Sequence, residues 1–292
     1  MKRLFALEFS RLRRQTSTWV ISFIILALGG FNVLLAYFTS DISGGEPQFI
    51  FTTRSILESS FQLGQIQILL IGVVTSLFVS SDISQGTIRN KIIAGHSKFE
   101  IYIVSMAMSV AITVMGLMLF HALPTAFSWL ITFPITVDDG GSFANFLIHM
   151  GFGYFLIITG VLLTTWLALR TKTTAAAIIF TLLIFVLGPT ITSIVKTIVE
   201  AIVLLDIDQF LDLAAYEKAQ AEINGAFEWV YFYQLQRLAN VGSFFDFFRP
   251  LNINFLNTNT RPFILKTLGS NIALLVLLMV VGGRRFARSD LR

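Results

Sequence analysis

A chain of 292 residues that is 55% hydrophobic, with 29 phenylalanines and only 13% charged residues, falls outside the ordinary soluble classes. A mean hydropathy of +0.76 makes it an integral membrane protein, and the lack of cysteine removes disulfide frameworks, thiolate metal sites and cysteine nucleophiles. The formal net charge of +4 accompanies no basic run on a soluble fold, so it reads as membrane topology and contact with anionic lipid headgroups, not as nucleic-acid binding.

Residues 1–16 predict an interfacial helix or, as the plainer alternative, a basic orientation signal with no other role. Phe5, Phe9 and Leu12 fall on one helical face and Arg3, Arg11 and Arg14 on the other, so the apolar stripe can enter the leaflet while the arginines meet phosphates. The segment leads into the first of six apolar runs, Trp19 to Phe38, which exceeds a signal-peptide core and is expected to be retained. The others are Leu63 to Val79, Ile101 to Thr125, Phe146 to Leu169, Ala175 to Val195 and Phe263 to Val281. Each approaches the roughly 20 apolar residues that cross a bilayer core, and their unbroken apolarity selects helices over an alternating barrel. The expectation is an all-α membrane protein of six transmembrane helices, forming one transmembrane domain over residues 1–292.

Lysines and arginines orient the spans. With both termini cytosolic, the inner side holds Lys2, Arg3, Arg11, Arg13 and Arg14, then Arg89, Lys91 and Lys98, then Arg170 and Lys172, and finally Arg284, Arg285, Arg288 and Arg292. The two short outer loops hold only Arg54. That asymmetry predicts cytosolic termini. Three histidines, with His121 and His149 near opposite ends of spans, are too few and too dispersed to predict a metal site.

The segment 80–100 between the second and third spans is the most informative polar stretch. Asp82 and Ser84 are competent N-caps, Gly86 and Thr87 break one helix and start another, and Ile88, Ile92 and Ile93 make an apolar face beside Arg89 and Lys91. A short amphipathic helix held between two spans suits a groove on a cytosolic partner. The same helix could equally lie flat on the membrane.

Charge within the spans is sparse and therefore informative. Lys196 and Glu200 stand four apart at the outer end of the fifth span, where they can pair on one helix face. Pro189 after Gly188 should kink that span. These polar groups read either as a patch near an outer gate or as interhelical hydrogen bonding. The long outer segment, 196–262, is dense in aromatics, including Phe244, Phe245, Phe247 and Phe248. It is expected to be helical and either to dip into the outer leaflet, over a substrate exit, or to form a small capping subdomain with its own aromatic core.

Together, an amphipathic N-terminus, six spans and an acidic residue four before Gly-Thr-Ile resemble the permease subunits of ATP-binding-cassette exporters of the ABC-2 type. That family's loop reads acid-x-x-x-Gly-Thr-Ile or Leu, an apolar pair, then Pro-x-x-Arg or Lys. Here Asp82, Gly86, Thr87, Ile88, Ile92, Ile93 and Lys98 match, while Gly95 replaces the usual Pro and Ser105 stands where a basic residue often does. The resemblance implies that this loop, Arg89 included, couples to ABC ATPase subunits, and that a second permease chain, identical or homologous, completes the pathway. It also implies short re-entrant helices between the fifth and sixth spans, and export of an amphipathic or hydrophobic solute such as a drug, an antimicrobial peptide or a lipid-like molecule. No Gly-x-x-x-x-Gly-Lys-Ser/Thr phosphate loop occurs in the chain, so ATP and Mg are expected on the partner subunit, with no cofactor on this one. The expected location is the cell membrane, as a multi-pass protein of a bacterial inner or plasma membrane. Competing readings are a secondary transporter or channel, disfavoured by the near absence of mid-span charge; a membrane enzyme, for which no catalytic constellation converges; and a non-transporting sensor or assembly protein.

Overall fold

The computed structural model describes residues 1–41, 64–130, 143–171, 173–204, 213–234 and 261–289. Among them the architecture is helical throughout, without strands. Helix α1 spans Lys2–Arg14, α2 Thr16–Asp41, α3 Gly64–Ser84, α4 Thr87–Ile93, α5 Lys98–Leu130 and α6 Phe143–Arg170. Helix α7 joins Thr174–Leu182 to Gly188–Leu204 through a π turn at Leu183–Leu187. Helix α8 is Leu213–Phe227, and α9 joins Arg261–Leu277 to Gly283–Arg288 through a second π turn at Leu278–Gly282.

Each of the six apolar runs falls on its own helix, α2, α3, α5, α6, α7 or α9. Among the described residues, four stretches are long and apolar enough to cross a membrane: Lys98–His121, Gly151–Arg170, Thr174–Leu204 and Leu265–Arg288. A fifth is added if α3 and α4, bent by 64° at their junction, count as one span. Within the described residues of α2, Thr16–Phe31 is apolar as well.

Helices α5 and α6 form the centre of the bundle, in contact with each other and with α3; α2 packs on α5, and α7 on α3 and α6. Apolar side chains fill two layers. One gathers Phe78, Ile88, Tyr102, Met106 and Phe286 with Leu4 and Leu12 of α1. The other, farther along the spans, gathers Ile71, Phe120, Leu156, Val161 and Phe185. Polar side chains bridge the helices inside this packing: Ser76 with Thr181 at 2.6 Å, and Thr165 with Ser109 at 2.8 Å. Small polar groups of this kind hold membrane helices together where apolar burial offers little difference from lipid. Gly29 lets α2 approach α5, since a Cβ there would stand 2.7 Å from the Phe120 carbonyl oxygen.

Outward faces of α2, α7 and α9 are apolar and exposed, as Phe23, Ile194, Ile202 and Val276 illustrate. Hydrocarbon accepts such surface, so it needs no polar cover. Where a kink is expected, before Pro189, the helix carries a π turn within one continuous span. Proline lacks the N–H that would bond back to Phe185, and the turn immediately before Gly188 widens to π geometry instead of breaking. The π turn of α9 has a side-chain partner, because the Tyr102 hydroxyl donates to the Leu278 carbonyl at 2.7 Å.

Candidate functional site

The junction of α3 and α4 is built by two glycines. Gly86, at φ 69°, occupies the left-handed region that lets the chain leave α3 and turn into α4. Gly95, at φ 90°, ends α4 in a Schellman arrangement, with the Gly95 N–H bonded to the Ile92 carbonyl at 2.9 Å and the His96 N–H to the Lys91 carbonyl at 3.1 Å. Ser97 and Glu100 then form a reciprocal capping box at the start of α5, at 3.1 and 3.2 Å. A seven-residue helix has little stability of its own. These bounded ends, and the contacts made by its inner face, hold it in place.

That inner face carries Ile88 and, almost one turn on, Lys91; both are buried. Ile88 joins the apolar layer at this end of the bundle. Lys91 completes a four-membered ring of charge. Its Nζ lies 2.6 Å from Asp82 Oδ2 and also pairs with Glu8 Oε1. Arg11 Nη1 lies 3.2 Å from Glu8 Oε2 and also pairs with Asp82 Oδ1. Each acid thus meets both bases, and the four formal charges cancel. Arg11 Nη2 also donates to the Phe78 carbonyl at 2.8 Å, with its guanidinium carbon 4.0 Å from the Phe78 ring centroid. The Thr87 hydroxyl bonds to Asp82 Oδ1 at 2.6 Å, tying the first residue of α4 to the end of α3. Burial pushes both Arg11 and Lys91 below their ordinary pKa values, opposed by the neighbouring Glu8 carboxylate. Such a ring locks geometry more than it adds net stability, since desolvation offsets much of the attraction.

Two expectations change. Ile88, Ile92 and Ile93 do not share one outward apolar face: Ile88 is buried, Ile92 half-buried, and Ile93 83% exposed. The reason is that α4 already packs on its own protein, so its inner side takes Ile88 while Arg89, Asn90 and Ile93 project away. On α1 the buried stripe is Leu4, Glu8 and Leu12, while Phe5 and Phe9 lie exposed at its edge. Arg11 turns inward to the ring instead of outward to lipid phosphate. Arg3 and Arg14 remain exposed.

Lys98 reaches the end of α9, donating to the Ser289 carbonyl at 2.6 Å. Thus Asp82, Gly86, Thr87, Ile88, Lys91 and Lys98 are part of one internal scaffold, and Arg89, Ile93 and part of Ile92 form its outward surface. Glu8 is the residue that sequence reasoning passed over. Its signal was present, an acid at the i+4 position between Leu4 and Leu12, on the apolar side of a basic helix.

At the other end of the bundle Lys196 and Glu200 do pair, and the Lys196 ammonium lies 5.8 Å from the Tyr233 ring centroid. The Tyr231 hydroxyl donates to the Leu156 carbonyl at 3.0 Å. Buried Gln234 bonds to Asn271 at 2.7 Å and to Ser270 at 3.0 Å, fastening this stretch to α9. Phe244, Phe245, Phe247 and Phe248 lie outside the described residues.

The family model described as "ABC-2 family transporter protein" matches residues 4–188. The match runs from α1 into α7 and contains every member of the charge ring. No curated protein matches the chain.

Proposed function

Since the chain belongs to the ABC-2 family of transporter proteins, we propose that it is the transmembrane permease subunit of an ATP-driven exporter, with α4 as the element that receives force from an ABC ATPase subunit. The observation that carries this reading is the division of α4 into two sides. Ile88, Lys91 and Thr87 bind it to α1 and α3, while Arg89, Asn90 and Ile93 stand exposed. A push on the outer side therefore reaches α3 and α1 together and, through Lys98, the end of α9.

In this reading both termini and α4 face the cytosol, six helices cross the membrane, and residues 80–100 form the coupling loop. ATP and Mg reside on the partner, and a second permease chain, identical or homologous, completes the path. Residues 196–262 lie on the exit side, where Lys196, Glu200 and the phenylalanines at 244, 245, 247 and 248 border the released solute. Apolar walls favour an amphipathic or hydrophobic solute, and the setting is the plasma or inner membrane of a bacterium.

Co-purification of the full chain with its ATPase subunit tests the proposal. Burying an isoleucine contributes about 1.5–3 kcal/mol, so Ile93→Asp should weaken ATPase binding at least tenfold and abolish substrate-stimulated hydrolysis while leaving the chain folded. Retention of both by Ile93→Asp combined with Asn90→Asp would remove α4 as the coupling element.

A further inference from the structure

A cavity of about 690 Å³ opens beside α4, between it and the ends of α6 and α9. Its size is within the range of ligand clefts, roughly 300–1,000 Å³. Three arginines from three different helices line it: Arg89, Arg170 and Arg285. Among the described residues that line it, none is a carboxylate. This contrasts with the adjacent ring, where Arg11 and Lys91 are each matched by an acid. The remaining wall sets the aromatic rings of Tyr102, Trp166 and Phe286 beside the hydroxyl residues Ser84, Thr171 and Ser289. The Arg170 guanidinium lies 5.4 Å from the Trp166 ring centroid, and the Tyr102 and Phe286 rings are 5.7 Å apart.

Three arginines lining one cavity beside aromatic rings, at the end of membrane helices, suit an anionic phosphate joined to an acyl glycerol. Basic clefts between helices at headgroup depth take such lipids, and guanidinium groups bind phosphate oxygens in bidentate fashion. We propose that this cavity holds the headgroup of an anionic phospholipid, with its phosphate among Arg89, Arg170 and Arg285. The bound lipid would bridge α4 to α6 and α9. The inference rests on the chain being embedded in a membrane; because Arg89 also belongs to the outward side of α4, the test uses only Arg170 and Arg285.

The test is fluorescence quenching of the full chain in detergent by phosphatidylglycerol with brominated acyl chains, with brominated phosphatidylcholine as comparison. The chain has four tryptophans, so the cavity signal is the part lost in Trp166→Phe. That signal should show at least tenfold preference for phosphatidylglycerol. Each lost arginine should weaken binding roughly fivefold, as each basic residue near an anionic surface contributes, so Arg170→Gln with Arg285→Gln should weaken it roughly 25-fold. Both substituted residues are exposed and lie off α4, which keeps this measurement separate from ATPase docking. The single variants supply the answer if the double variant elutes abnormally.

Equal quenching by the two lipids, or an unchanged affinity in the arginine variants, would overturn the proposal. So would full displacement of the lipid by inorganic phosphate, which would identify a free-phosphate site. Loss of ATPase co-purification in Arg170→Gln with Arg285→Gln, at unchanged lipid affinity, would assign the arginines to the protein partner and equally sink the lipid reading.

Discussion

Glu8, in the first helix of the chain, and Lys91, in the short helix after α3, form an ion pair whose side chains are 4% and 8% exposed. Neither is close to the other in sequence, and each also meets a second partner of opposite charge. The pair makes α1 and α4 one mechanical unit at the end of α3.

Removing one member of a buried charge network leaves its partners unmatched, at a cost of about 3–5 kcal/mol. Asp82→Asn and Glu8→Gln should therefore each lower the thermal midpoint of the detergent-solubilised chain markedly. Glu8→Gln combined with Lys91→Gln should be less damaging than the sum of the two single changes, by about 0.5–3 kcal/mol of coupling. Additive losses in that cycle would mean that the two groups do not interact.

Ile88 and Ile93 should respond in opposite ways to truncation. Ile88→Ala deletes buried apolar volume and should destabilise by about 2–5 kcal/mol. Ile93→Ala alters an exposed position and should stay within about 0.5 kcal/mol of the parent. Unfolding in graded denaturant measures both, and equal losses would contradict the placement of α4.

Gly86 and Gly95 occupy left-handed backbone, and neither has a neighbour within 4 Å of an added Cβ. Alanine at either position is thus opposed by backbone conformation alone, at about 1–2 kcal/mol. Gly95→Pro should be worse than Gly95→Ala, because it also deletes the N–H that bonds to the Ile92 carbonyl. The thermal midpoint of Gly95→Pro should lie below that of Gly95→Ala, and both below that of the parent chain.

Orientation can be read by single cysteines in a chain that has none of its own. Ser84 and Ala221 are both exposed. In intact cells an impermeant thiol reagent should label Ala221→Cys and leave Ser84→Cys untouched until the membrane is opened. Labelling of Ser84→Cys in intact cells would invert the proposed topology.

The helical class and the positions of the apolar runs were legible because each is a local property. Twenty consecutive apolar residues must satisfy their own backbone in lipid, and only a helix does so within one segment. The α3–α4 break was legible for the same reason, since Gly86 and Thr87 act on the residues beside them. The π turn before Pro189 was half legible: proline announces a disturbance, but whether the helix breaks or widens depends on what packs around it.

Residue spacing alone determined that this chain lies in a membrane as helices and carries a short helix between the second and third apolar runs. Only the tertiary structure decided which way that helix faces. Periodicity put Ile88 and Ile93 on one apolar side and Arg11 on a solvated one, because a helical wheel weighs side chains without knowing what stands opposite. Opposite α4 stand Glu8, Arg11 and Asp82, and for a buried lysine such partners outweigh its preference for water. Lys91 therefore turns inward with Ile88, and Ile93 is left on the surface.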